Sequence, residues 1–207
     1  RGAGANFSLN QRVTDAANEL KCGSANRDAS HTCAVRDRLF NFFGTGSLLV
    51  TLALMIDLYT WATPNGRKVS IALEELELDY HVKPVNIGAD EQLAPDFLRI
   101  SPNNKIPVLH DHDGDQTLFE SGAILLYLAD KTGRLGGGSE QQLVSQWLMF
   151  QMASIGPMFG QTHHFHRFNQ GVAPYAEERF VAETHRLYAV LDRRLGEVEY
   201  LACDYSI

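Results

Sequence analysis

The chain has 207 residues, 44% of them apolar, enough for a packed core in one domain or two small ones, and wholesale disorder is excluded. A net charge of -7 excludes a nucleic-acid binder held by phosphate contacts. Cys22, Cys33 and Cys203 form neither a CxxC nor a metal-ligand pattern, which excludes a disulfide scaffold and points to a reducing compartment.

Composition changes at Met55, the first methionine. Residues 1–54 hold six basic and four acidic side chains, a net +2 that leaves -9 on the remainder. Residues 1–38 are rich in Ala, Ser, Asn and Arg without a sustained period, and read as poorly ordered. The apolar run 48–56 is too short to span a bilayer. The segment reads as a leader that is non-native or mis-started. An organellar presequence, or a signal or anchor with Arg36 and Arg38 ahead of the apolar run, stand as alternatives.

From residue 56 the pattern is orderly. Residues 56–60 predict a strand, and Thr63-Pro64-Asn65-Gly66 a turn. Val69, Ala72, Leu73 and Leu76 follow at i, i+3, i+4 and i+7 and predict an amphipathic helix over 67–78, with Glu74, Glu75 and Glu77 on its solvated face. Residues 80–85 alternate as a strand, and 95–100 form a short helix ending near Pro102. Val108 and Leu109 make a brief strand opened by Pro107, which cannot donate a ladder hydrogen bond. A turn at 111–115, a strand at 117–119 and an N-cap at Ser121 lead into a helix over 123–130, apolar nearly all round and so expected to be buried. The order β-α-β-α-β-β-α predicts a mixed sheet with helices on its faces.

Residues 133–139 are a glycine-rich link, followed by helical patterns only. Leu143, Trp147 and Phe150 stripe a first helix, which Gly156-Pro157 should kink or break. Phe180, Leu187, Tyr188, Leu191 and Leu195 stripe a second. Ser206 reads as an N-cap with no helix after it, so the helical part is expected to be truncated at its C-terminal end.

Taken alone, Glu120-Ser121 reads as a solvated carboxylate and a capping serine, and Thr63 to Gly66 as a plain turn. His163, His164 and His166 lack a carboxylate or thiolate partner at ligand spacing, so no metal is expected. In combination the words T-P-N-G-R-K, R-I-S-P-N-N-K-I-P, L-F-E-S-G-A-I-L-L-Y-L-A and G-P-M-F-G-Q-T-H-H-F mean more. They resemble the glutathione S-transferase superfamily, and within it the bacterial and fungal Nu class, over everything after residue 54.

That resemblance implies an α/β plus all-α fold. A thioredoxin-like domain with a mixed four-stranded sheet (55–135) would precede a partial helical domain (139–207). It implies that Pro107 is a cis-proline, exposing the backbone of Ile106 to pair with the cysteinyl unit of glutathione. Glu120 would accept from the γ-glutamyl ammonium, and Ser121 with the adjacent helix amides would bind the γ-glutamyl carboxylate. Lys105 and Gln92 match positions near the glycyl end and the peptide backbone. Thr63 and Asn65 would be the catalytic donors to the thiolate. Tyr59 lies four residues too early for that role and reads as core or sheet surface. No cysteine occupies 61–66, which disfavours chemistry through an enzyme thiol. The histidine cluster would be a polar wall of the cleft between domains.

The implied activity is glutathione-dependent disulfide-bond reduction by bound glutathione thiolate, with weak conjugation and peroxidase activity. Ordinary conjugation to electrophiles, or a non-catalytic glutathione-binding or regulatory module or fragment, are the alternatives. Glutathione is the expected co-substrate, with no metal, nucleic-acid or membrane partner, and the full-length protein is expected to be a homodimer. The expected location is cytoplasmic, or organellar if residues 1–54 are a genuine presequence.

Overall fold

A computed structural model describes residues 56–207, so the leader, presequence and signal readings of residues 1–54 lie outside the described residues. β1 (Ile56–Thr60) is the central strand. It pairs parallel with β2 (His81–Pro84) and antiparallel with β3 (Val108–Asp111), which pairs antiparallel with β4 (Gln116–Phe119). The order β2-β1-β3-β4 is the expected mixed four-stranded sheet. Alternation along β1 sends Ile56 and Leu58 to one face, where Leu109 joins them under the helices α1 (Pro64–Glu75) and α3 (Ser121–Thr132). Val69, Leu73, Ile124 and Leu128 fill that layer and are fully buried. The other face carries a smaller cluster of Val85, Phe97 and Val108, covered by α2 (Pro95–Ile100), with Tyr59 packed against it. Tyr59 is thus partly buried on this face of the sheet, between the two readings, core or sheet surface, left open by its early position.

Both ends of α1 differ from the expected 67–78. The helix begins at Pro64 because Thr63 caps it, its Oγ1 accepting from the Gly66 amide at 3.2 Å, and proline suits the first helical position. It ends at Glu75, and Glu77 turns left-handed with φ 57°. Arg134 closes that end by donating to the carbonyls of Glu75 and Leu76 at 3.0 and 3.2 Å.

The helical part starts with α4 (Gln141–Phe150). Its buried residues are Val144 and Leu148; Leu143, Trp147 and Phe150 are half-buried, so the expected stripe is rotated by one residue. Leu148 joins the same core as the sheet, so the apolar interior runs across the glycine-rich link. Gly156-Pro157 does not break the helix. A wide π-turn, Gln151–Ile155, precedes α5 (Gly156–Thr162), and Pro157 falls in the first turn of α5, where it does little harm. A second wide turn, His163–Phe168, leads to α6 (Pro174–Leu195), where the predicted stripe buries Leu187, half-buries Phe180, Tyr188 and Leu191, and leaves Leu195 exposed. Phe165 stacks on Phe180 at 5.5 Å and Phe159 on Tyr188 at 4.9 Å, holding α5 and the turn after it against α6. Among the described residues no helix is long and apolar enough to cross a membrane.

One buried charge fixes the sheet to α3. Asp111, fully buried, accepts from Tyr127 Oη at 2.6 Å, from Lys131 Nζ at 2.8 Å and from the Asp113 amide at 3.0 Å. Burial alone would raise the Asp111 carboxyl, but these donors outweigh it and hold its pKa below 3.8. Burial, then the Asp111 hydrogen bond, push Tyr127 from 10.0 to about 12, and the Asp111 hydrogen bond raises Lys131 above 10.5. The depressed carboxylate stabilises above about pH 4 and loses that contribution as pH falls through its folded pKa. The two raised groups stabilise below about pH 10 and lose their contribution as pH rises through their folded values. Asp111→Ala should therefore cost about 2–3 kcal/mol at neutral pH in urea unfolding. The difference from wild type should shrink below pH 4; a constant difference down to pH 2 would contradict the network.

Candidate functional site

The loop ahead of β3 is tied down from within. Ser101, fully buried, donates to the Lys105 carbonyl at 2.8 Å and accepts from the Lys105 amide at 3.3 Å. Asn104 is left-handed (φ 51°), and its Nδ2 donates to the Gln92 carbonyl at 2.9 Å. This closed turn delivers the chain into a cis Ile106-Pro107 bond. Ile106 lies ahead of β3 and outside the strand register, so among the described residues no sheet partner occupies that stretch of backbone.

Opposite this loop, β4 passes into α3. The expected cap was Ser121; instead Glu120 is the cap, with φ 70° and ψ 113°, and Ser121 is the first helical residue. The cause is the backbone turn itself, which swings Glu120 out into solvent and lays Ser121, 4% exposed, against the body of the protein. Among the described residues no side chain caps α3, so its first amides carry no intrahelical or capping partner there. Such a helix mouth favours an anion. Asn103 Nδ2 donates to Glu120 Oε1 at 3.2 Å and steadies the carboxylate.

Asn65, Lys105, Ile106, Pro107, Glu120 and Ser121, six of the eight residues singled out from the sequence, line one cleft. Thr63 and Gln92 do not line it. Thr63 spends its oxygen on capping α1. Gln92 is half-buried next to the cleft's loop, and its Oε1 is buried without a hydrogen-bond partner among the described residues. The α1 mouth comes close to the sheet because residue 66 is glycine: a Cβ there would collide with Thr60 Oγ1 and lie 2.7 Å from the Trp61 carbonyl. His163, His164 and His166 do not line the cleft. His166 pairs with Glu177 at 2.8 Å, Asn169 reaches His164, and His163 packs edge-on to Phe168. Among the described residues no cluster of His, Cys, Asp or Glu could hold a metal.

The sequence reading missed Asn103, Phe119 and Met152 in the cleft wall, and Lys68 and Gln151 behind it. Lys68 carried a usable signal. It stands four residues before Ala72 and one before Val69, at the edge of the apolar face of α1, where a charge is unexpected. Its ammonium donates to Gln151 Oε1 at 2.7 Å. Burial lowers its pKa, and the Glu120 carboxylate opposes that.

A four-stranded mixed sheet with a cis-proline loop, a helix mouth facing it and helices appended defines the thioredoxin-like transferase class. Comparison with known proteins agrees. Residues 55–130 match the family model for the glutathione S-transferase N-terminal domain. The chain is 51% identical over 161 residues to the disulfide-bond oxidoreductase YfcG of Escherichia coli, covering 74% of this chain and 75% of that protein. It is 41% identical over 145 residues to protein URE2 of Meyerozyma guilliermondii, covering 66% of this chain but 48% of that protein. A glutathione transferase of Pseudomonas putida, solved with one glutathione disulfide bound per subunit, superposes with a TM-score of 0.69 at 45% identity, covering 74% of this chain and 70% of that one. The chain belongs to the glutathione S-transferase family.

The left-handed Glu120 gives a direct test of the cap. A non-glycine residue at this φ and ψ costs roughly 1–3 kcal/mol, and glycine relieves it at an entropic cost of about 1 kcal/mol. Glu120→Gly should therefore leave stability unchanged or raise it by about 1 kcal/mol in thermal or urea unfolding, whereas Glu120→Ala should not. A loss above 1 kcal/mol on Glu120→Gly would mean that the carboxylate holds the fold.

Proposed function

We propose that this protein reduces disulfide bonds with glutathione, and that the attacking thiolate belongs to glutathione itself. The observation that carries the reading is the cleft: a cis-proline loop and an uncapped helix mouth face each other with no cysteine between them among the described residues. Cys203, the free cysteine of the described residues, lies against Gly137 and not in the cleft. The YfcG likeness and the glutathione disulfide in the Pseudomonas neighbour support the same reading.

In this scheme the backbone of Ile106 pairs with the cysteinyl unit, Glu120 accepts from the γ-glutamyl ammonium, and Ser121 with the α3 amides takes the γ-glutamyl carboxylate. Lys105, in the cleft wall, holds the glycyl end, and Gln92, beside the cleft's loop, is assigned to the peptide backbone. Asn65, in the first turn of α1, donates to sulfur, and the Thr63 hydroxyl hydrogen, free while its oxygen accepts from Gly66, is the second donor. These donors and the α1 dipole lower the thiol pKa from its free value of about 8.5.

The bound thiolate attacks one sulfur of the substrate disulfide. The S–S bond breaks, the second sulfur leaves as a thiolate that takes up a solvent proton, and a glutathionyl mixed disulfide forms. A second glutathione thiolate attacks the glutathione sulfur, releasing the other substrate thiol and glutathione disulfide. Two glutathiones are oxidised as one disulfide becomes two thiols. We assign the protein to the cytoplasm, where glutathione supplies that reductant. Its assembly is a homodimer, its organisation a glutathione-binding domain to residue 135 with a helical domain after 139, and its partners are a small disulfide and glutathione, with no nucleic acid.

Turnover of a small disulfide and of a nitroaryl electrophile, measured side by side with glutathione, tests the reaction. Fast reduction with slow conjugation is expected, and the reverse order refutes it. Asn65→Ala should raise the bound thiol pKa by about one unit and cut the neutral-pH rate roughly tenfold, the loss of one hydrogen bond to an anion. Thr63→Ala should in addition cost about 1 kcal/mol of stability through the lost cap. Unchanged thiolate absorbance in both variants would rule out this activation scheme. Ser121→Ala should weaken glutathione binding about tenfold; unaltered affinity would remove Ser121 from the site.

A further inference from the structure

Lys68 stands behind Ser121 and outside the cleft wall. Its ammonium donates to Gln151 Oε1 at 2.7 Å and to Ser121 Oγ at 3.5 Å, and lies 3.8 Å from Met152 Sδ. An ammonium only donates, so the Ser121 oxygen is the acceptor in this pair. The serine hydrogen must then point away from Lys68. It is directed to Met152 Sδ at 3.6 Å, and Met152 is part of the cleft wall. A thioether is a weak acceptor, which a carboxylate in the cleft outcompetes.

The placement of Lys68 is costly for the fold alone. A half-buried ammonium near the mouth of α3 faces the positive end of that helix. Burial pulls its pKa down. Among the described residues only Gln151 Oε1 gives it a short hydrogen bond, and that residue belongs to the π-turn after α4. The Glu120 carboxylate nearby supplies the opposing attraction. An apolar side chain would pack more favourably at this position of α1. An incoming anion offsets the cost by meeting an ammonium, a serine donor and the helix amides from one side.

We propose that Lys68 is a positioning residue for the γ-glutamyl carboxylate: it holds the Ser121 hydroxyl as a donor toward the cleft, places a fixed positive charge behind it, and so makes the site selective for a peptide carrying that α-carboxylate. The inference rests on the glutathione-binding reading above. Without Lys68 the Ser121 hydroxyl is free to turn toward backbone acceptors, as serines near helix ends commonly do.

The test compares two peptides on the full chain by calorimetric titration: glutathione, and γ-aminobutyryl-cysteinyl-glycine, which keeps the ammonium but lacks the α-carboxylate. Lys68→Met should weaken glutathione binding roughly tenfold, as for the loss of charge-assisted donation, and leave the affinity for the analogue at its wild-type value. Lys68→Arg should recover most of the loss. Gln151→Met, which frees the ammonium but keeps it, gives a second variant should Lys68→Met fold poorly; it should weaken glutathione about threefold and leave the analogue unaffected. Equal losses for both peptides, or no loss for either, overturn the inference while the glutathione reading stands. Failure of the wild-type chain to bind glutathione overturns both.

Discussion

The left-handed turn at Glu120 is the constraint on which the rest of the site depends. A strand that ran straight into a helix would cap it with the side chain of its last residue, and the first amides would be consumed. At φ 70° the chain instead throws the Glu120 carboxylate outward and drops Ser121 inward. One residue thereby leaves the α3 mouth open and gives it an acid at the rim and a hydroxyl at the floor. The parts around it serve that geometry. Asn103 steadies the carboxylate, the buried Ser101 closes the loop that carries Asn103, and Lys68 lies beneath the serine.

Rigidity is supplied from a distance. Asp111 lies at the far end of β3 from Pro107, and its bonds to Tyr127 and Lys131 fix how α3 lies across the sheet. Arg134 ties the end of α1 to the end of α3. With both helices held at their C-terminal ends, their N-termini present partial positive charge beside one cleft. Leu148 extends the same core into the helical part, so Gln151 and Met152 are carried on an element anchored under the sheet.

The sequence made most of this layout readable because local signals agreed. Alternation in β1, the 3.6-residue period of α1 and the turn residues between β3 and β4 each point to one structure. The cis bond at Pro107 and the placement of Glu120 and Ser121 beside it were legible only through several words taken together, since each word alone has an ordinary structural use. What failed to show had a physical reason. The start of α1 lay hidden in its capping turn, because Thr63 and Pro64 read as breakers when they are in fact starters. The α4 stripe slipped by one residue because a core shared with the sheet, and not the helix's own period, decides which side is buried. Gly156-Pro157 read as a break because a wide π-turn, which absorbs a proline without ending the helix, has no single-residue signature. Asn103 and Lys68 act through tertiary neighbours seventeen and fifty-three or more residues away, and no local pattern carries that information.

Among the described residues no thiol lines the cleft, and that shapes what these charges must do. An enzyme cysteine would carry its own orientation, covalently fixed to the backbone. A borrowed thiol has to be oriented by everything except the reacting sulfur. On the proposed reading the binding groups govern reactivity as well as affinity, because small shifts of the peptide would move the sulfur relative to Asn65 and the α1 mouth. On this view the long chain of contacts from Gln151 through Lys68 to Ser121 does not merely support a binding pocket. Under the proposal made for Lys68, it links a residue of the helical part to the serine on the cleft floor, and through that serine to the placement of a bound peptide.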